Sequence, residues 1–123
     1  MLAQLDEALN HYNMAIDINP YNGEFIYNRG LVKSRLDQVP EAIKDYEQAI
    51  KHLPQSDEES RYQAHFNLGI CNRRLGKLEA SIKDLEKARL MKPDRSSVHN
   101  NLGLSYFENN MYEEALQAYG KAI

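Results

Sequence analysis

Asn28, Asn67 and Asn101 each stand two residues before a glycine. The segments read Tyr27-Asn28-Arg29-Gly30-Leu31, Phe66-Asn67-Leu68-Gly69-Ile70 and Asn100-Asn101-Leu102-Gly103-Leu104. A side-chain amide offers an acceptor and donors together. Three of them at one recurring position suit the amide groups of an extended peptide backbone, which recur whatever its side chains. The alternative is that these asparagines bond within or between neighbouring helices, since a buried amide must find partners either way. Around them lie Tyr27, Leu31 and Arg35, then Phe66, Ile70, Arg73 and Arg74, then Leu104 and Phe107. Aromatic and aliphatic anchors edged by arginine are what binding hot spots favour. They suit a partner segment with apolar anchors and acidic groups. For Leu31, Ile70 and Leu104 the alternative is packing against adjacent helices.

No residue set argues for catalysis, so the chain reads as a non-enzyme. His65 and His99 share one repeat position and read as helix-interface packers. His11 and His52 have no ligand partners at metal-binding spacing, and no His-x-x-x-His occurs, so neither metal nor cofactor is expected. Gly30, Gly69 and Gly103 stand singly, which is no phosphate loop. Cys71, the single cysteine, reads as a buried, inert thiol and excludes an intramolecular disulfide. That fits a reducing, cytoplasmic setting. A net charge of −3 over 123 residues, with Asn72-Arg73-Arg74 as the longest basic run, disfavours nucleic acid. No apolar stretch is long enough to span a membrane. Asp6, Glu7 and Asn10 exclude a signal peptide at residues 1–16. With 42% hydrophobic and 27% charged residues, the chain can build a packed core under a charged surface.

The elements that hold these residues repeat. Glu7-Ala8-Leu9, Tyr12, Ala15-Ile16 and Pro20 recur 34 residues later as Glu41-Ala42-Ile43, Tyr46, Ala49-Ile50 and Pro54. A looser copy ends at Pro93, 39 residues further on, and a fourth begins at Glu114-Ala115-Leu116 with Tyr119 and Ala122-Ile123. The period is 34 with one five-residue insertion, which marks a repeat array. Ala42, Tyr46, Ala49, Ile50 and Leu53 form one helical stripe. Helices are predicted at about 2–18, 24–36, 40–53, 57–75, 79–91, 96–109 and 112–123, an all-α fold of seven helices in one domain, 1–123. Asn22-Gly23, Leu75-Gly76-Lys77 and Asn109-Asn110 mark turns, and Pro40 suits a first helical turn.

The units divide as residues 1–22 (the second helix of a partial repeat), 23–56, 57–95 with the insertion at its start, and 96–123 as an incomplete last repeat. Glycine inside a helix costs roughly 1 kcal/mol against alanine. Three such glycines predict close approach of each first helix to its second, with Ala42, Ser81 and Ala115 small on the facing side. Tyr12, Tyr46 and Tyr119 are expected to fill space toward the next unit, with Leu85 replacing the aromatic in the third. In the insertion, Ser56 and Glu59 have capping-box spacing, and Asp57 to Glu59 place negative charge in a first turn. An extra helical turn before Tyr62 is predicted; the alternative is a protruding acidic contact.

As a set these residues resemble the tetratricopeptide repeat, a 34-residue helix–turn–helix. The resemblance lies at Gly30, Ala42, Tyr46, Ala49 and Pro54; at Leu68, Gly69, Leu75, Ala88 and Pro93; and at Leu102, Gly103, Tyr106, Ala115, Tyr119 and Ala122. Two positions depart. Ile26, His65 and His99 stand where the family has Trp, and Lys33 and Asn72 precede Tyr106 where it has Tyr, so looser packing is expected there. The resemblance implies a right-handed superhelical solenoid whose concave groove is lined by the first helices, with Asn28, Asn67 and Asn101 inside it. It implies a scaffold that binds a peptide or partner protein.

Family members that clamp chaperone tails pair Lys with Asn on the first groove helix. Here those positions hold Tyr27 and Leu31, Phe66 and Ile70, then Asn100 and Leu104, which disfavours that ligand. Two other roles stay open. One is structural self-assembly through open terminal helices, 2–16 and 112–123, with Leu2, Leu5, Leu9 and Tyr12 exposed. The other is a substrate-recruiting arm of a larger enzyme. The chain opens on an orphan second helix and closes within one, which reads as an excised piece of a longer array.

Overall fold

The computed structural model describes residues 2–123. Its helices are α1 (Leu2–Ile18), α2 (Gly23–Arg35), α3 (Val39–His52), α4 (Glu58–Arg74), α5 (Leu78–Met91), α6 (Ser96–Glu108) and α7 (Tyr112–Ala122). The described residues contain no strand. Two compact units divide the chain, residues 1–64 and 65–123, with the division inside α4.

Each first helix ends in the same turn. Asp37, Gly76 and Asn110 lie seven residues after Gly30, Gly69 and Gly103, and all three are left-handed, with φ of 62°, 78° and 63°. The next residue's N–H then reaches back into the helix. Gln38 donates to the Lys33 carbonyl at 2.8 Å, Lys77 to Asn72 at 2.9 Å and Met111 to Tyr106 at 2.8 Å. These bonds satisfy carbonyls that the helix end leaves open. Aspartate and asparagine tolerate this backbone better than other side chains, and glycine adopts it freely. A Cβ at Gly76 would meet nothing within 4 Å, so only backbone strain opposes a side chain there. Gly76→Ala is therefore expected to cost about 1–2 kcal/mol in denaturant unfolding, and Gly76→Asn distinctly less.

In the first unit, Ile26, Ala49, Leu53 and Ala64 form a buried cluster, with Ile16, Tyr27 and Ile50 packed on it. The close approach of helices occurs at the glycines as expected. A Cβ on Gly30 would lie 2.9 Å from Cε1 of Tyr46. In the second unit, a Cβ on Gly69 would lie 2.6 Å from Cγ of Leu85, and one on Gly103 would lie 2.5 Å from Cε1 of Tyr119. The large residues thus fill space against the first helix of their own repeat, not toward the next as the sequence suggested. The reason is register. Tyr46 follows Ala42 by one turn, so the small and the large residue share one face and meet one partner.

The insertion lengthens a helix. α4 has 17 residues, against 13 in α2 and in α6. Its cap is Asp57 rather than Ser56: the Asp57 carboxylate accepts the Ser60 N–H at 3.1 Å. A charged acceptor suits the positive end of a helix. The added turn also carries Arg61, whose Nη1 donates to the carbonyls of Ile50 at 3.0 Å and Leu53 at 3.2 Å. Those carbonyls end α3, where a cation is favoured. On α1, Leu5, Leu9 and Tyr12 are half-buried rather than exposed. The large apolar side chains that α1 leaves in solvent are Leu2, Met14 and Ile18.

Candidate protein-binding surface

Helical spacing decides which residues stay accessible. On α2, Ile26 and Gly30, one turn apart, are buried, while Tyr27, Asn28 and Leu31 remain half-buried and Arg35 exposed. α4 repeats the pattern: Phe66, Asn67, Ile70 and Arg73 are half-buried and Arg74 is exposed, while His65, Leu68 and Gly69 are buried. On α6, Asn101 is half-buried, and Leu104 and Phe107 are 39% and 56% exposed. Tyr27 packs a tilted ring on Tyr46 at 5.7 Å between centroids, and Phe107 meets Tyr112 edge-on at 5.4 Å. Such pairs fix an aromatic without hiding it. Each expected contact residue therefore keeps some solvent-facing area.

The three amides are not equivalent. The Asn28 side chain makes no hydrogen bond among the described residues. The Asn101 amide donates to the Ser97 carbonyl one turn back, at 2.8 Å, so part of its capacity goes to its own helix. Asn67 has a partner within the protein. The arginines differ too. Arg73 Nη1 pairs with Glu108 of α6 at 3.4 Å, linking the accessible faces of two first helices inside the second unit.

Where the family has tyrosine, the structure is filled rather than loose. Asp45, 4% exposed, receives Arg29 Nε and Nη2 at 2.9 and 2.8 Å, and Lys33 Nζ at 3.1 Å. Arg29 also donates to Asn13 of α1 at 3.0 Å. In the next repeat, the buried Asn72 amide donates to Asp84 at 3.0 Å. In the last, Tyr106 itself donates to Glu86 at 3.1 Å, and Arg89 holds the other Glu86 oxygen at 2.7 and 3.1 Å. The signal was in the sequence: Asp45 and Asp84 follow Lys33 and Asn72 by twelve residues, and Ala118 follows Tyr106 by the same step. Ser81 and Ser105, both fully buried, add a hydroxyl pair at 2.8 Å between α5 and α6. A serine at the small-residue position supplies a bond that alanine could not.

Burial, followed by the charge and hydrogen bond of Glu86, pushes the Tyr106 phenol up to about 12. A raised value means that the fold favours the protonated phenol. Its contribution to stability is present below the ordinary value near 10 and is lost as pH rises through about 12. In a tyrosinate absorbance titration, the difference between wild type and Tyr106→Phe is expected to have its midpoint near 12; a midpoint near 10 would refute the burial of this phenol beside Glu86.

The expected packing of the histidines is seen: His65 and His99 are buried, and His99 Nε2 donates to the Pro93 carbonyl at 2.7 Å. Cys71 is buried. Among the described residues no three His, Cys, Asp or Glu side chains converge as a metal site would require. Nor is any helix among them long and apolar enough to cross a membrane.

Helix pairs that repeat at this period, each with an accessible first-helix face, define an all-α repeat protein. The tetratricopeptide repeat family models match residues 27–90 and 96–123, and this chain belongs to that family. It is 25% identical over 114 residues to the human mitochondrial import receptor subunit TOM70, covering 91% of this chain and 19% of that protein. It is 30% identical over 86 residues to Hsp70-Hsp90 organizing protein 3 of Arabidopsis thaliana, covering 70% of this chain and 14% of the relative. A Plasmodium falciparum Hsp70-Hsp90 organising protein is 26% identical over 154 residues, covering 98% and 26%. The chain thus spans about a quarter or less of the length of these relatives.

Among solved structures, "MamA RS-1 ArsTM double mutant" superposes with a TM-score of 0.87 at 19% identity, over 98% of this chain and 65% of the other. BtubC (BKLC) from P. vanneervenii superposes with a TM-score of 0.86 at 17% identity, over 98% and 56%. These likenesses show the shared fold.

Proposed function

We propose that this chain is a protein-interaction scaffold that holds partner segments on the accessible first-helix faces of its units, that of α2 in the first and those of α4 and α6 in the second. The observation that carries this reading is the repeated composition of those faces. Each presents an amide (Asn28, Asn67, Asn101) beside apolar side chains that stay partly in solvent: Tyr27 and Leu31, Phe66 and Ile70, Leu104 and Phe107. The amides take the partner's backbone, the apolar residues anchor its side chains, and Arg35, Arg73 and Arg74 meet its acidic groups. The names of the relatives support the class of work, since an import receptor and an Hsp70-Hsp90 organizing protein both handle other proteins. Which proteins those relatives handle does not transfer, because Tyr27, Leu31, Phe66 and Ile70 replace the Lys and Asn of a chaperone-tail clamp. A recruiting arm of an enzyme would work through the same faces.

The test is Asn67→Ala, measured by calorimetry with a peptide selected on the wild-type protein. Binding is expected to weaken by about 0.5–1.5 kcal/mol, and by more if a partner group is left buried and unpaired. A folded Asn67→Ala protein that binds unchanged would remove the amides from the site.

A second reading, self-association, is favoured by one observation: α1 buries none of its residues and leaves Leu2, Met14 and Ile18 at 67%, 62% and 78% exposure. Sedimentation at high protein concentration tests it, and a strict monomer would exclude it.

A further inference from the structure

Arg29, Arg89 and Arg73 each pair with a carboxylate, and Arg73 does so incompletely. Arg29 grips Asp45 through Nε and Nη2 at 2.9 and 2.8 Å, and Arg89 grips Glu86 through the same two atoms at 3.1 and 2.7 Å. The first is a fork onto both carboxylate oxygens and the second places both donors on Glu86 Oε2; both are charge-assisted pairs of ordinary length. Arg73 makes one contact, Nη1 to Glu108 Oε2, at 3.4 Å. Its Nε–H is buried and has no hydrogen-bond partner in the protein. A buried donor without an acceptor is unfavourable, and a guanidinium is built to hold a carboxylate through two parallel bonds. The pair with Glu108 is therefore a weak, replaceable use of Arg73.

The surroundings say what would replace it. Arg73 sits at the end of α4 within the second unit, facing α6. Immediately before Glu108 on α6 stands Phe107, 56% exposed, and one turn earlier Leu104, 39% exposed. The Glu108 side chain is itself 43% exposed, so solvent already competes for it and it can leave without burying its charge. The site offers an incompletely satisfied cation next to an unoccupied apolar surface.

We propose that Glu108 is an internal competitor for Arg73, and that this face takes a partner segment carrying an acidic side chain beside a large apolar one. The partner's carboxylate displaces Glu108 and forks end-on onto Nη1 and Nη2 of Arg73, while its apolar neighbour covers Leu104 and Phe107. This rests on the peptide-binding reading above and adds the partner's chemistry and a built-in brake on affinity.

The two variants of the pair move affinity in opposite directions. Peptides are selected by display on the wild type and on Glu108→Gln, and the enriched sequences are synthesised with and without their acidic residues changed to Gln. The selected peptides are expected to carry an acid within two positions of a large apolar residue. Glu108→Gln should bind them about two- to fivefold more tightly, as removing a competing surface pair allows. Arg73→Gln should bind about tenfold more weakly, with Arg73→Lys between, and the Gln peptides should be indifferent to position 73. Thermal melts of each variant confirm folding; should Arg73→Gln not fold, the gain at Glu108→Gln decides alone. Enriched peptides without acids, or unchanged or weakened binding by Glu108→Gln, would overturn the proposal and leave the scaffold reading standing. No enrichment on either protein would overturn both.

Discussion

Asp45→Ala is expected to lower stability by about 3–5 kcal/mol. Asp45 is 4% exposed and lies between two cations, with Arg29 forked onto it and Lys33 at 3.1 Å. The side chains of those cations are 21% and 17% exposed. Assembling the triad yields little net gain, since three charges leave water to form it. Breaking it is another matter, because Arg29 and Lys33 then face each other across a partly buried space with no anion between them. Asp45→Asn keeps the shape and some hydrogen bonding but not the charge, so it should fall between wild type and Ala. Because the charges are largely out of solvent, salt should change the loss little. Urea unfolding at low and high salt measures both points. A loss below about 1 kcal/mol, shrinking with salt, would reduce the triad to an ordinary surface pair.

Gly69→Ala should also destabilise, although helix propensity alone predicts a gain of roughly 1 kcal/mol for this change. The added Cβ would stand 2.6 Å from Leu85 Cγ and 2.9 Å from Cδ2. Leu85 is fully buried, so its methyls have nowhere to go. Overpacking of this kind costs about 1–3 kcal/mol. The control is the same substitution in a Leu85→Ala background. There the clash is gone, the cavity is partly filled, and Gly69→Ala should become neutral or stabilising. A clash at this contact predicts that reversal of sign; a requirement for glycine's backbone freedom predicts none. Destabilisation of equal size in both backgrounds would therefore contradict the packing account.

The fold was readable because its signals are local and repeat. Glycine followed twelve residues later by Ala or Ser, an aromatic or Leu one turn on, and proline at the unit's end together fix where each helix lies. Observed ends differ from expected ones by at most one residue. What could not be read was which partner a side chain chooses among those in reach. Tyr46 faces α2 rather than the next repeat because it shares a stripe with Ala42, a matter of three-dimensional register. Ser56 and Asp57 are both plausible caps one residue apart, and only the hydrogen bond from Ser60 separates them. The expectation of looseness at Lys33 and Asn72 treated those positions singly, whereas Asp45 and Asp84, twelve residues on, supply their partners.

The accessible face was legible in kind, since Asn28, Asn67 and Asn101 recur with apolar neighbours at helical spacing. The internal bond of Asn101 to Ser97 and the half-satisfied Arg73 needed coordinates.

The proposed function rests on the accessible faces of α2, α4 and α6, each as a working surface of its own unit. Its most direct test is a peptide-display selection run in parallel on the wild type and on an Asn28/Asn67/Asn101→Ala protein verified to fold. Peptides that enrich on the wild type and fail to bind the triple variant are the predicted result. No enrichment on either protein, or peptides that bind both equally, would contradict the claim.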